Sequence, residues 1–250
     1  MEEQIVKTNG LSCSGIDIAM SNSLSGEIIR ISSPELFKKQ KYGEKDMSLV
    51  CVYNGPDFIV VASDSRSTIT HSQGQSVRCE YKDDYQKIVI KGSLVIASTG
   101  LNQFNEDNFK QLIGDCINTD ADILSEEIIS KMHPSVSKAN LPSAFIVAES
   151  LENAIRYKIH VVNVDPNEFT STLYNTSPYK ATVTALGELW AVKYMEKIPT
   201  PFYTNYLEAD AFLKEQMSNI INMDKRCHPN TIGGEIRTVV LKVGKDPLWV

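Results

Sequence analysis

Apolar and polar residues form strand-like patterns from Ser48 onward. Short apolar runs, many of them rich in Val and Ile, alternate with Gly, Pro, Asn and Asp, which is typical of strands separated by turns. Residues 49–53 and 58–62 flank the turn residues Asn54-Gly55-Pro56-Asp57, and residues 87–90 and 93–98 flank Lys91-Gly92. Each pair of runs predicts a β-hairpin.

The periodicity becomes helical after Gly100. Apolar residues recur at helical spacing from Phe104 to Cys116 and from Ile123 to Met132, and Pro134 is expected to end the second of these helices. The remaining runs predict strands over 144–148, 155–163, 169–174, 180–185 and 236–243, and helices over 188–197 and 206–221. This order predicts an α+β fold, in which antiparallel sheets carry pairs of helices on their outer faces.

Residues 1–46 differ in composition from the rest of the chain, with seven serines, mixed charges and short apolar patches. We interpret them as an N-terminal appendage. No repeat, no parallel strand–helix–strand alternation and no glycine-rich phosphate loop is found, so a nucleotide-binding fold is not expected.

Composition narrows the classes of function. The chain has 250 residues and a net charge of −6, with 42% hydrophobic residues. This mild acidity disfavours nucleic-acid binding, and neither a membrane-spanning run nor a secretion signal is found, so we expect a cytoplasmic protein with no membrane partner.

Neither a metal site nor a cofactor is predicted. The chain has five cysteines without a CxxC pair and four scattered histidines, so neither a disulfide framework nor a structural zinc site is indicated. Cys227 and His228 are adjacent, but no second pair of ligands accompanies them.

Ser48 and five short motifs occur in one order along the chain. Ser48 opens the first strand, Ser63-Asp64-Ser65-Arg66 ends the second, and Gln86-Lys87-Ile88, Ala97-Ser98-Thr99-Gly100-Leu101 and Ala185-Leu186-Gly187 follow, with Ile232-Gly233-Gly234 before the last strand. From Ser48 to the C-terminus, this order resembles proteasome β-subunits and their simpler bacterial relatives, which are N-terminal-nucleophile (Ntn) hydrolases. The resemblance implies a four-layer αββα sandwich of two antiparallel sheets flanked by helix pairs.

The resemblance also implies a set of catalytic residues. Ser48 would be the nucleophile, and its own α-amine the base, because a free α-amine has an unperturbed pKa of about 7.7–8. The Lys87 ammonium would lower the pKa of that amine and favour the developing alkoxide. Asp64 would keep Lys87 charged and oriented, with Arg66 anchoring Asp64 from its other side.

Three further roles follow for residues that meet the substrate. The backbone N–H of Gly100 would stabilise the oxyanion, since glycine leaves room for the substrate. Thr68 would bind the substrate backbone in extended form, by strand addition. Ser98 would lie near the specificity pocket.

The chain departs from the family pattern at three positions. Ser48 replaces the usual threonine, and without its methyl group the nucleophile's χ1 angle is freer. Glu188 stands where the family commonly has serine after the glycine that corresponds to Gly187. The family's aspartate before the last Gly-Gly has no clear equivalent, since Pro229 and Asn230 fall there and Asp224 lies farther upstream.

Ser48 is internal in the chain as written, so its amine is an amide. Three routes remain open: autocatalytic removal of residues 1–47 by cleavage of the Met47–Ser48 bond, translation that begins at Met47 followed by methionine removal, or no processing at all. The chain therefore divides into an N-terminal extension or propeptide, residues 1–47, and an Ntn hydrolase domain, residues 48–250.

The resulting expectation is a peptidase that works through an acyl-enzyme on Ser48. Family likeness implies a homo-oligomeric ring that encloses the sites, unfolded protein or peptide as substrate, and an ATP-driven unfoldase as partner. The helices around 104–116 and 188–197 are the expected ring contacts. Two alternatives stand beside this one: a non-catalytic assembly protein that keeps its extension, and an amidase that acts on small molecules.

Overall fold

The computed structural model describes residues 17–22, 48–73, 76–101, 103–104, 106–165, 168–225 and 231–250. Cys227 and His228 therefore lie outside the described residues. Two larger antiparallel sheets and four helices dominate this part of the chain, so the fold is a mixed α/β arrangement. Among the described residues, no helix is both long and apolar enough to span a membrane.

The first sheet has six strands in the order β1-β13-β2-β3-β14-β15. Its centre is the predicted hairpin, in which Gly55 at the turn donates its N–H to the Phe58 carbonyl (2.9 Å). Both central strands are buried along their whole length, which explains their continuous apolar runs. The strands are β1 (Asp17–Asn22), β2 (Leu49–Asn54), β3 (Phe58–Asp64), β13 (Thr182–Gly187), β14 (Ile236–Lys242) and β15 (Leu248–Trp249).

The second sheet has five strands in the order β12-β11-β10-β7-β6. The predicted hairpin at Lys91-Gly92 is present, and Gly92 has a positive φ of 59° at its turn. The strands are β6 (Ile88–Lys91), β7 (Leu94–Thr99), β10 (Ser143–Ser150), β11 (Ile155–Val162) and β12 (Phe169–Asn175). Two small hairpins complete the strands: β4 (Ser67–Gln73) with β5 (Ser76–Lys82), and β8 (Gln103–Phe104) with β9 (Asp107–Asn108).

Three of the four helices begin at polar residues that cap them. Asn108, Asp120 and Asn205 accept hydrogen bonds from first-turn N–H groups of α1, α2 and α4, whereas the side chain of Glu188 caps nothing in α3. The helices are α1 (Phe109–Gly114), α2 (Ala121–Ala139), α3 (Leu189–Glu196) and α4 (Tyr206–Asp224).

Apolar side chains collect in three clusters. One is formed by residues of both larger sheets, including Val50, Val61, Ala97 and Ile146. A second joins the six-stranded sheet to α3 and α4, and a third joins the five-stranded sheet to α1 and α2. Each larger sheet therefore contributes side chains to two clusters, one shared with the other sheet and one shared with helices.

Two predicted helix boundaries differ from the structure by more than one turn, and some elements are not predicted. The helix predicted from Phe104 begins only at Phe109, because residues 103–104 and 107–108 pair as the hairpin β8–β9. Helix α2 continues past Pro134 to Ala139, because the buried residues Ser135 and Val136 keep packing where the proline removes a backbone donor. It ends at Asn140, which has a left-handed φ of 52°. The hairpin β4–β5 was not predicted. Within the interpreted appendage, residues 17–22 form β1, which pairs with β13 from Asp17↔Gly187 to Asn22↔Thr182.

Candidate active site

Four strand ends meet in one buried polar cluster, which we call the Ser48 cluster: Ser48, Asp64, Lys87 and Thr99. Ser48 precedes β2, Asp64 ends β3, Lys87 precedes β6 and Thr99 ends β7, so both larger sheets contribute. Ser48, Asp64 and Lys87 are 0% exposed and Thr99 is 1% exposed. Polar groups buried to this extent require internal partners, and the hydrogen bonds of the cluster supply them.

Asp64 is the hub of the cluster. Its Oδ1 accepts from the Lys87 ammonium at 2.7 Å and from the Leu49 N–H at 2.8 Å. Its Oδ2 accepts from the N–H groups of Gly233 (3.1 Å) and Arg66 (3.3 Å). One carboxylate thus connects the lysine to the residue directly after Ser48, and connects both to the Gly233 segment that precedes β14.

The pairing of Asp64 with Lys87 brings together two residues that are 23 positions apart in sequence. A buried ammonium is costly to desolvate, and a carboxylate with further hydrogen bonds compensates that cost. The expected contact between Asp64 and Lys87 is therefore present as a buried ion pair. The order of residues along the chain did not reveal the Leu49 contact.

Ser48 is held through both its side chain and its main chain. Its Oγ lies 2.7 Å from the Thr99 Oγ1, and the Thr99 hydroxyl also donates to the Ser48 carbonyl at 3.2 Å. The N–H of Glu188 donates to the same carbonyl at 3.3 Å. No sequence pattern indicates a role for Thr99, since a threonine before a glycine is not a motif by itself.

Gly187 permits the close approach of β13 to Ser48. Its φ is +131°, and a Cβ at this position would lie 1.8 Å from the Ser48 carbonyl oxygen. Any side chain here would therefore collide with the backbone of Ser48. Glu188, the departure from the family's serine, contributes its backbone N–H to Ser48.

The Arg66 side chain has a different partner from the one expected. Its guanidinium forms a two-point ion pair with Asp83, at 2.6 and 2.7 Å, and lies over the Tyr81 ring. The hydrogen bond with Arg66 lowers the pKa of Asp83. Support for Asp64 comes from the Arg66 backbone N–H, so the expected side-chain anchor of Asp64 is replaced by a main-chain one.

Asp224 lies next to the loop that carries Gly233. It is the last residue of α4, is 1% exposed, and accepts from the Ile232 N–H at 2.7 Å. Burial raises the pKa of Asp224 above its ordinary value, and hydrogen bonds from the Ile232 and Thr231 backbone only partly oppose this rise. Asp224 thus binds the backbone of Ile232, and the next residue, Gly233, donates its N–H to Asp64. Asp224 therefore holds a segment that contacts the Ser48 cluster, without contacting the cluster itself. An aspartate that seemed too far upstream in sequence thus reaches the Gly-Gly segment.

Gly100 follows Thr99 at the end of β7, beside the cluster. Its φ is +97°, and a Cβ would lie 2.8 Å from Ser143 Oγ and 2.9 Å from the Pro142 carbonyl oxygen. Glycine is thus required here by backbone conformation and by space. This position is compatible with the expected oxyanion role, because Gly100 is adjacent to the residue that contacts Ser48.

Thr68 and Ser98 each lie close in sequence to a residue of the Ser48 cluster, Thr68 after Asp64 and Ser98 before Thr99. Thr68, in β4, is 0% exposed, and its Oγ1 has no hydrogen-bond partner within the described part of the chain. Ser98 donates its backbone N–H to the Lys87 carbonyl at 3.0 Å, and it lies on the opposite face of β7 from Thr99. The structure thus joins Ser98 to the cluster through main chain.

The Ser48 cluster and the adjacent Gly100 bring together a buried hydroxyl, a lysine paired with a carboxylate, and a glycine N–H at a strand end, which are groups that acyl transfer can use. Cys51 is not a competing nucleophile, because burial and then the nearby Asp64 raise the pKa of its thiol. Among the described residues, no group of three or more His, Cys, Asp or Glu side chains is arranged to hold a metal ion.

Comparison with known proteins adds no relative: no protein-family model matches the chain, and no curated protein matches it significantly in sequence.

Proposed function

We propose that this chain is a proteasome-type Ntn hydrolase that cuts amide bonds of peptides with Ser48 as an N-terminal nucleophile. The observation that carries the proposal is the shared oxygen of Asp64, which binds the Lys87 ammonium at 2.7 Å and the Leu49 N–H at 2.8 Å. This arrangement fixes a charged lysine relative to the backbone of the residue that follows Ser48. In this proposal the two larger sheets and their helix clusters form the four-layer αββα sandwich of the family.

Each residue then has a defined step. The Ser48 Oγ attacks the substrate carbonyl carbon while the free Ser48 amine accepts the hydroxyl proton, and the Gly100 N–H stabilises the oxyanion. Collapse of the tetrahedral intermediate breaks the C–N bond, and the departing amine receives that proton. Water then hydrolyses the Ser48 ester. Lys87 favours the neutral amine and the developing alkoxide by its charge.

The mechanism requires that Ser48 be the first residue of the active chain. In the intact chain Ser48 is 0% exposed and its nitrogen is an amide, so the form that contains residues 1–47 is an inactive precursor. Cleavage of the Met47–Ser48 bond, by Ser48 itself, releases the amine. Translation from Met47 with subsequent methionine removal gives the same terminus.

The assembly follows from the same proposal. Copies of the chain form a closed ring, with helices α1 and α3 at or near the contacts between subunits. A chamber of this kind admits unfolded chains, which an ATP-driven unfoldase supplies. In this proposal the protein works in the cytoplasm.

Hydrolysis of fluorogenic peptide amides by the purified protein tests the function. Ser48→Ala should abolish turnover, and Ser63→Ala is the matched control, because Ser63 is a buried serine on β3 whose hydroxyl has no partner in the described structure. Loss of activity in Ser48→Ala with retention in Ser63→Ala is the expected result. Equal activity in both variants would overturn the assignment of Ser48.

A specific observation favours a second candidate, a non-catalytic assembly protein that keeps its extension. Strand β1 lies in the first 47 residues and pairs with β13 over six residues, with Asp17 opposite Gly187. A segment built into the sheet has a structural use that a discarded propeptide lacks. An intact chain in the assembled protein, with no turnover of peptide amides, would favour this candidate.

A further inference from the structure

We propose that Thr99 is a positioning residue for Ser48, which holds the nucleophile's hydroxyl in one rotamer. The inference deepens the proposed function and rests on it for one point, namely that Ser48 is the nucleophile. It explains how the chain can use serine at position 48, where the resembled family usually has threonine. A threonine would restrict its own χ1 angle, whereas a serine does not.

Serine needs an external constraint for this task. Its Cβ carries a single heavy substituent, so three staggered χ1 wells are accessible, whereas threonine's second substituent restricts χ1. A nucleophilic oxygen in the wrong well points away from the substrate carbonyl, and small displacements from reactive geometry slow a reaction strongly. The chain must therefore select one well by contact.

Thr99 supplies that contact at two points on one residue. Its Oγ1 is 2.7 Å from the Ser48 Oγ and 3.2 Å from the Ser48 carbonyl oxygen. Because the Ser48 carbonyl is held beside Thr99 and the Ser48 Oγ must stay within hydrogen-bond reach of the same Thr99 oxygen, the contact favours the one χ1 well in which that reach is met. Both residues are almost fully buried, so water does not compete for these hydrogen bonds.

Thr99 is itself rigid. It ends β7, where it is opposite Ala144 of β10, and it is β-branched, which restricts its own χ1 angle. The Ser48 carbonyl is in turn fixed by the Glu188 N–H, which follows Gly187 at the close contact between β13 and Ser48. The holding group is therefore stiffer than the group that it holds.

The hydroxyl group of Thr99 can hydrogen-bond Ser48 both before the nucleophilic attack and while Ser48 loses its proton. When Thr99 donates to the Ser48 carbonyl, its oxygen accepts the proton of the Ser48 hydroxyl. When the Thr99 hydroxyl turns toward Ser48 Oγ, it donates to that oxygen, and the Ser48 proton is free to move to the α-amine. The same neighbour thus orients Ser48 before attack and donates to its oxygen as that proton leaves.

The test compares Thr99→Val, Thr99→Ser, Ser48→Thr and Ser48→Thr/Thr99→Val with the wild type. Thr182→Val is the matched control, since Thr182 is a buried strand threonine whose hydroxyl has no partner in the described structure. High-resolution crystal structures of the full-length variants report the Ser48 rotamer. Steady-state kinetics of the processed variants separate kcat from KM.

We expect one Ser48 rotamer in the wild type and in Thr99→Ser, and more than one in Thr99→Val. In Thr99→Val, kcat should fall about tenfold with KM unchanged, as for loss of one hydrogen bond that acts on the reacting group. In the Ser48→Thr background the same substitution should lower kcat by a smaller factor than in the wild type, because the methyl group then restricts χ1 and only the hydrogen bond donated to the nucleophile's oxygen is lost. Thr182→Val should leave kcat unchanged.

A single Ser48 rotamer in Thr99→Val would overturn the proposal, and so would an equal loss of kcat from Thr99→Val in both backgrounds. Failure of the hydrolase function looks different. The wild type would then turn over no peptide or small amide, while the number of Ser48 rotamers would still decide the role of Thr99.

Discussion

The buried pair of Asp64 and Lys87 should respond unequally to removal of either partner. In Asp64→Asn, the Lys87 ammonium stays in a fully buried position without its carboxylate. In Lys87→Met, the carboxylate keeps three N–H donors, from Leu49, Arg66 and Gly233. The two substitutions are close to isosteric, so packing changes little and electrostatics decides the difference.

The magnitude follows from the burial of both groups. Breaking a buried ion pair on one side costs about 3–5 kcal/mol, and we expect Asp64→Asn to lie in that range. In Lys87→Met the Asp64 carboxylate keeps its three hydrogen bonds from backbone N–H groups. The cost in free energy of unfolding should therefore be at least about 1 kcal/mol lower than for Asp64→Asn. Asp64→Asn/Lys87→Met should be more stable than Asp64→Asn alone, because the double variant has no buried ammonium that has lost the Asp64 carboxylate.

Urea unfolding at neutral pH, followed by both fluorescence and circular dichroism, measures the three free energies of unfolding. Coincident transitions are needed for a two-state analysis. If Lys87→Met were as destabilising as Asp64→Asn, or if the double variant were less stable than Asp64→Asn, the account of the Asp64 hub would be refuted.

Three further predictions concern other parts of the described structure. Burial, and then Lys158, lower the pKa of His160 from 6.5 to about 4, so the unfolded chain binds a proton that the folded chain excludes. The free energy of unfolding should therefore fall by up to about 3 kcal/mol between pH 6.5 and 4, and a His160→Asn variant that kept this slope would contradict the assignment. Asp224→Ala, which leaves the buried Ile232 N–H without its acceptor, should cost about 1–3 kcal/mol in urea unfolding, and a cost equal to that of Asp224→Asn would contradict the role of its oxygen. Gly187→Ala should abolish hydrolysis and destabilise the fold severely, whereas Gly114→Ala, where a Cβ meets nothing within 4 Å, should be tolerated; an active Gly187→Ala enzyme would contradict the close contact with Ser48.

Much of the chain's architecture is local and was predictable. The hairpin around Asn54 to Asp57 has apolar strands on both sides of strong turn residues, so the pattern predicts it without tertiary information. The proline rule failed at Pro134, because tertiary packing beyond the proline outweighs one lost backbone hydrogen bond. The hairpin β4–β5 is rich in polar and charged residues, so hydrophobic alternation does not indicate it.

Site residues were predictable only where a motif marked them. Asp64 and Lys87 occupy motif positions, and the structure brings their charged groups together. The roles of Thr99 and Asp224 depend on which strand end meets which loop, a three-dimensional relation that spacing along the chain does not contain. For the same reason no sequence pattern indicates that Arg66 pairs with Asp83.

The N-terminus of the protein purified from its native host tests the central claim most directly. Intact mass and N-terminal sequencing identify the first residue, and a peptide-amide assay on the same sample reports activity. The account predicts an active chain that begins at Ser48. Peptide-amide turnover by a chain that still carries residues 1–47 after assembly would contradict it, because the Ser48 nitrogen would then be an amide without basicity.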